Sequence, residues 1–150
     1  MKVAVIGART PSSKSIEILK DYLNKRKDEI TEITTGGALG ADTVGMEWAI
    51  ENGKKLTVYT PNRFHNFNGV KEAKDKGANI VSTGLGYNDR NTLVVKDVDL
   101  VVCSDYGNGT VDALRKAIND GITCYTTGSY TYGNGRNIAG VIKLIPKTKI

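Results

Sequence analysis

The residues in this chain best suited to chemistry are glycines spaced to bring backbone amides up to an anion, and arginines placed to grip one. The stretch Thr34-Thr35-Gly36-Gly37-Ala38-Leu39-Gly40-Ala41-Asp42 follows a short β-like run and leads into Val44, Gly45, Trp48 and Ala49 at helical spacing. A strand that breaks at paired glycines into a helix offers close backbone N–H groups and the positive end of a helix dipole, and phosphate is the natural guest. The spacing Gly36, Gly37, Gly40 is neither the dinucleotide pattern G-x-G-x-x-G nor a Walker A loop, so a plain tight turn packing a helix on a sheet explains it equally well. Gly7-Ala8-Arg9 and Gly107-Asn108-Gly109-Thr110 are two further loops of the same kind. Arg9 directly follows a strand-ending glycine, where it either grips a phosphate bidentately or fastens a loop.

Other chemistries find little support. Ala8 to Ser15 reads A-x-x-x-x-S-K-S, a Walker A with both glycines replaced, which leaves Lys14 and Ser15 as a helix's first turn and excludes an ATPase reading. Cys103 and Cys124 sit in separate apolar runs and read as buried thiols in adjacent strands. With a single histidine, His65, no metal-ligand cluster is expected, and no cofactor. The net charge of +5 comes from scattered lysines, which marks a solvated surface more readily than a nucleic-acid groove. No apolar run approaches a membrane span and the first residues enter a strand rather than a signal peptide, so a cytoplasmic protein without a membrane partner is expected.

The elements that must carry these loops follow from apolar patterning. The 150 residues, 25% charged and 39% hydrophobic, suit one globular domain. Lys2-Val3-Ala4-Val5-Ile6 and Asp99-Leu100-Val101-Val102-Cys103 are nearly continuous apolar runs, the mark of strands buried on both faces of a parallel sheet. The first belongs at the sheet centre. Glu32 to Thr35, Lys55 to Tyr59, Ala78 to Ser82, Ile122 to Thr126 and Val141 to Ile145 are further strands, the third and fifth of these near edges. Helices are predicted from Ser12 or Ser13 as N-cap, from Ala41 to about Asn52, over Val70 to Lys76, around Leu93 to Val98 after a polar stretch from Gly84 to Thr92, and from Thr110 to a stop at Gly121. This alternation predicts an α/β fold: a doubly wound, Rossmann-like, mostly parallel sheet flanked by helices, in one domain with a C-terminal extension over 126–150. Ligands of such sheets bind outside the carboxyl ends of the strands, where all three glycine loops emerge into one crevice.

In order and separation, Val5-Ile6-Gly7-Ala8-Arg9, Thr35-Gly36-Gly37-Ala38-x-Gly40-Ala41-Asp42, Tyr59-Thr60-Pro61, Arg90-Asn91, Asp99 and Gly109-Thr110 make the chain resemble the SLOG superfamily. This is the Rossmann-like group that includes the DNA-processing protein Smf/DprA and the Lonely Guy (LOG) nucleotide hydrolases. The resemblance covers roughly residues 3–126 and looks most like the small single-domain branch. It implies a nucleotide or nucleotide-derived ligand held by Gly7, Arg9, Gly36, Gly37, Ala38, Asp42, Asn91, Gly107, Gly109 and Thr110, and self-association into a homodimer or larger assembly.

LOG enzymes hydrolyse the N-glycosidic bond of nucleoside monophosphates with an arginine and a glutamate near Pro-Gly-Gly-x-Gly-Thr-x-Glu. Arg90 and Asp112 stand in the matching places, which makes them the expected catalytic pair. Here, however, the motif reads Asp105-Tyr106-Gly107-Asn108-Gly109-Thr110-Val111-Asp112, without the proline and one glycine, and with a carboxylate shorter by a methylene. Glycosidic cleavage sets a carboxylate beside an oxocarbenium-like carbon with near-ångström tolerance, so that shortening abolishes or redirects turnover. A non-catalytic nucleotide sensor or sequestering protein therefore stands beside the phosphoribohydrolase reading, and DprA-like single-stranded DNA binding is a third, less favoured one. Asp105 either sets negative charge at the phosphate position or points away. Asp42 reads first as a helix-start or loop-fixing acid and second as a general base. Arg90 beside Asp89 also reads as a surface ion pair, and Asp112 as an acid that suits a helix's first turn. Tyr130, Tyr132 and Arg136 read as a turn-rich tail or as groups that stack on a base.

Overall fold

The computed structural model describes residues 1–63, 66–128 and 140–143. The elements run β1 (Lys2–Gly7), α1 (Ser13–Lys25), β2 (Glu32–Thr35), α2 (Ala41–Glu51), β3 (Lys55–Thr60), α3 (Phe67–Asp75), β4 (Asn79–Ser82), α4 (Tyr87–Val94), β5 (Leu100–Ser104), α5 (Asn108–Asn119), β6 (Thr123–Thr126) and β7 (Val141–Lys143). The strands form one sheet in the order β4-β3-β2-β1-β5-β6-β7, every pairing parallel. This is the doubly wound α/β architecture expected from the alternating pattern, with β1 in the middle and β4 at an edge. The direction of winding reverses at β1 and β5, which pair from Val3–Leu100 to Gly7–Ser104, so their following loops part and leave a gap.

Alternation along β1 builds both layers of core. Val3 and Val5 pack with Leu19 and Leu23 of α1, Met46 and Trp48 of α2, and Val70 of α3. Ala4 and Ile6 face the other side, with Val94 of α4 and Ala113, Leu114 and Ala117 of α5. Full burial of each large aliphatic side chain contributes about 1.5–3 kcal/mol, so these two layers hold the strand ends and their loops in place. Ser12 caps α1, its hydroxyl accepting from the Ser15 amide at 3.1 Å. Lys14 points to solvent beside Glu17 at 3.7 Å, and Ser15 is buried, its hydroxyl 2.8 Å from Ser104 Oγ and 2.7 Å from Thr127 Oγ1, so this stretch does the work of a helix start.

Several boundaries differ from the pattern in the sequence. The stretch from Gly84 to Thr92 is mostly helix: α4 begins at Tyr87 and turns Arg90, Asn91 and Val94 inward, a face too polar to show an apolar repeat. α3 starts at Phe67, ahead of Val70. β5 runs one residue later than Asp99–Cys103, and Asp99 instead accepts the Lys2 amide at 2.7 Å. Of the strand expected over Val141–Ile145, Val141–Lys143 is described and pairs with β6. Tyr130, Tyr132, Arg136 and His65 lie outside the described residues.

Candidate functional site

The three glycine loops do converge at the carboxyl ends of β1, β2 and β5, and enclose a cavity of about 340 Å³. Two of its glycines are required by close approach. A Cβ on Gly7 would stand 2.2 Å from the Ser104 carbonyl oxygen and 2.6 Å from Ala41 Cβ. One on Gly36 would stand 2.5 Å from Arg90 Nη1 and 3.0 Å from Asp42 Oδ2.

What these approaches accomplish differs from the expected phosphate cradle on Gly36, Gly37 and the start of α2. The Ala41 amide donates to the Ala8 carbonyl at 3.1 Å, and the Ala38 amide donates to Asp42 Oδ2 at 3.1 Å. The Ala8 amide is shared between the Ser104 and Asp105 carbonyls at 3.1 and 3.0 Å. Gly37 backs onto the core, its Cβ position 2.8 Å from Val58 Cγ1, and does not line the cavity. The Ala38 and Ala41 amides are thus taken by the loop's own acid and by the Ala8 carbonyl of the loop after β1.

Arg90 and Asp42 form the buried centre of this arrangement, each 6% exposed. Arg90 Nη1 donates to the carbonyls of Gly36 and, at 3.1 Å, Tyr59, while Nε donates to Asn91 Oδ1 at 3.2 Å. It is therefore neither a surface ion pair with Asp89 nor a freely projecting catalytic cation. Burial pushes the Asp42 carboxyl up to about 6, and the Arg90 charge together with the Ala38 amide pulls it back only in part. Burial likewise lowers Arg90 from its ordinary range, against the pull of Asp42.

Asn91 was expected to touch ligand. It lines the cavity, and its amide nitrogen donates to the Gly109 carbonyl at 3.1 Å and to Asp112 Oδ2 at 3.3 Å. Asp112 in turn lies 2.9 Å from Lys116 Nζ, which also donates to the Asn88 carbonyl, and Asp112 is outside the cavity lining. Helical geometry explains this: Gly109, Thr110 and Ala113 of α5 face the cavity, and at about 100° per residue position 112 turns away from Thr110. Asp105 also turns away, its Oδ2 accepting the Ser12 amide at 2.8 Å, so it sets no negative charge in the crevice. Among the described residues, the carboxylate that lines the cavity is Asp42.

The anion-seeking groups that remain lie at α5 and at Arg9. α5 starts after Gly107, and Val111 is the first residue to donate back to it, at 3.1 Å. The Gly109 and Thr110 amides thus have no intrahelical acceptor, as at any helix start, and both residues line the cavity, with open space where a Gly109 side chain would be. Arg9 is exposed at the mouth, its guanidinium 6.0 Å from the Tyr87 ring centroid, while Arg90 lies 5.6 Å from the same ring. Tyr87 gave no signal in sequence, although it stands one helical turn before Arg90 and just after Gly86. Ile6, Ala8, Val94 and Ala113 form an apolar wall that the loop motifs likewise did not announce. Among the described residues, no group of three or more His, Cys, Asp or Glu comes together, and no helix is long and apolar enough to cross a membrane.

The family model described as DNA recombination-mediator protein A matches residues 1–84, more than half of the chain. No curated protein matches the sequence. Among solved structures, DNA processing protein A from Streptococcus pneumoniae superposes with a TM-score of 0.72 at 18% identity, over 88% of this chain and 52% of that one. DNA processing protein A from Helicobacter pylori, described for its single-stranded DNA binding mode, gives 0.69 at 21% identity over 87% and 66%. The molybdenum cofactor binding protein of Rippkaea orientalis gives 0.68 at 20% identity over 84% and 75%. At these identities the likeness is one of fold, and the chain spans about half the length of the pneumococcal protein.

Proposed function

The chain belongs to the DNA recombination-mediator protein A family, and from that premise we propose that its crevice binds a nucleotide or nucleotide-derived small molecule. The phosphate lies against the first-turn amides of α5 with Arg9 closing over it, and the base or sugar lies against Ile6, Val94 and Ala113. The observation that carries this reading is the pairing of helix-start amides, which have no intrahelical acceptor, with an apolar wall inside a cavity of about 340 Å³, a size suited to small ligands. Arg90, Asp42 and Asn91 are the frame of the site rather than its contacts. Isothermal titration with the four common nucleoside 5′-monophosphates, their nucleosides and inorganic phosphate tests it. Binding that needs both phosphate and base, weakened at least tenfold in Arg9→Ala, supports the reading; no heat from any monophosphate refutes it.

Within this reading, binding without turnover accounts best for the side chains. Glycosidic cleavage needs a carboxylate free to face the sugar, and Asp112 is engaged by Asn91 and Lys116 while Asp42 is committed to the Ala38 amide beside Arg90. Chromatographic detection of released base from a nucleoside monophosphate would reverse this. A second reading, single-stranded DNA binding, draws on the family match and on the neighbour described for that activity. It predicts a gel shift with single-stranded oligonucleotides that fades steeply with salt.

A further inference from the structure

The crevice contains a carboxylate at the place where an anion is to be bound. Asp42 lines the cavity, is buried, and draws on the charge of Arg90, which also lines it. We propose that anion binding in this crevice is coupled to protonation of Asp42, the phosphate on the α5 amides and Arg9 acting through space on a carboxylate that lines the same cavity. This rests on the nucleotide reading above and adds its regulation by pH. Per site, one proton leaves the buffer and attaches to the Asp42 carboxylate, giving the neutral acid; nothing else is transferred.

The groups around Asp42 make it the responsive member. From α4, Arg90 supplies the opposing charge, with Tyr87 acting on Arg90 in turn; from the loop after β1, Arg9 adds a second positive charge facing Arg90. From β5, the Cys103 thiol, itself pushed up by burial and by Asp42 and Asp105, stays neutral. From the loop after β2 come the Gly36 and Ala38 amides. The Thr35 hydroxyl faces the same carboxylate; by donating to it the hydroxyl favours the charged form, and a hydroxyl oxygen can also accept the neutral acid's O–H. Arg90 keeps its proton throughout this range, so a phosphate that enters its field raises the cost of the Asp42 negative charge, and the carboxyl answers by taking up a proton.

With Asp42 near 6 before binding, it is about 10% protonated at pH 7, so uptake can reach about 0.9 proton per anion. The experiment is titration calorimetry at pH 7 with the tightest-binding nucleoside monophosphate, in PIPES and in imidazole, whose ionisation enthalpies differ. Wild type and Asp42→Asn are compared so that the probe's own phosphate ionisation cancels. The expected result is a proton uptake at least about 0.3 larger in wild type, and a wild-type affinity that falls more steeply from pH 6 to 8. Equal uptake in the two proteins overturns the coupling. Because Asp42→Asn can also disturb folding, the ¹³C resonance of the Asp42 carboxyl in wild type is titrated with and without the probe. A midpoint raised by more than about half a pH unit supports the proposal; a stationary midpoint with binding intact overturns the coupling and leaves the nucleotide reading standing. Absence of binding by all four monophosphates removes both.

Discussion

Replacing Arg90 by leucine separates a strut of the fold from a ligand contact. The substitution removes a cation that serves the Gly36 and Tyr59 carbonyls and leaves Asp42 buried without its counter-charge. Removing the charge that faces a buried carboxylate, here without a direct salt bridge, costs up to about 3–5 kcal/mol, and each orphaned buried carbonyl about 1–3 kcal/mol. The pH dependence divides these contributions. The folded-state pKa of Asp42 is raised from 3.8 to about 6, so its favourable contribution is complete below about 4 and lost as pH climbs through 6. Without the guanidinium that pKa rises further and the loss continues to higher pH. Arg90→Leu should therefore cost about 3–5 kcal/mol at pH 8 and about 1–3 kcal/mol at pH 5, where Asp42 is already mostly neutral. Urea unfolding followed by fluorescence of Trp48, the single tryptophan and 4% exposed, measures this. Arg90→Leu, Asp42→Asn and the double variant should show a coupling of about 1–3 kcal/mol at pH 8 that shrinks at pH 5. Additive effects at pH 8, or a cost independent of pH, would refute the account of this pair.

Three other substitutions address the frame of the crevice. Gly40→Ala sets a Cβ 2.3 Å from the Arg9 carbonyl oxygen at φ 83°, so α2 must retreat from the loop after β1; a loss of about 2–3 kcal/mol in urea unfolding is expected. Asn91→Ala frees the Gly109 carbonyl and Asp112, which should cost about 1–2 kcal/mol and weaken nucleoside monophosphate binding by about 5–10-fold in calorimetry. Ser15→Ala breaks a buried hydroxyl cluster with Ser104 and Thr127, and thermal unfolding should show a loss of about 1–3 kcal/mol with ligand affinity unchanged.

The sheet was legible because burial on both faces leaves nearly pure apolar runs at Lys2–Ile6 and Leu100–Cys103, and the glycines marked the strand ends where loops must turn. The wall opposite was not. α4 turns Arg90 and Asn91 inward, so its buried face carries the same residue types as an exposed loop and no periodicity betrays it. Tyr87 was hidden for the same reason. Motif counting placed Asp112 beside the ligand because it follows Thr110 by two, whereas the turn of α5 carries it around to Lys116. The glycine loop misled differently: its amides suit an anion, and the anion they found is Asp42, whose role as a loop-fixing acid the sequence did suggest.

One consequence follows from how the two walls are tied. Asn91 holds Arg90 with its oxygen and the first turn of α5 with its nitrogen, so at the cavity the jaw is spaced by a short amide side chain, with Lys116 on the Asn88 carbonyl and the packing of Val94 on Ala113 and Leu114 as further ties. Asn91→Gln would lengthen that spacer by about 1.5 Å, one carbon–carbon bond, without touching the sheet. A fold braced in this manner can be re-gauged for a larger or smaller guest through side chains between two helices, leaving its sheet as it is.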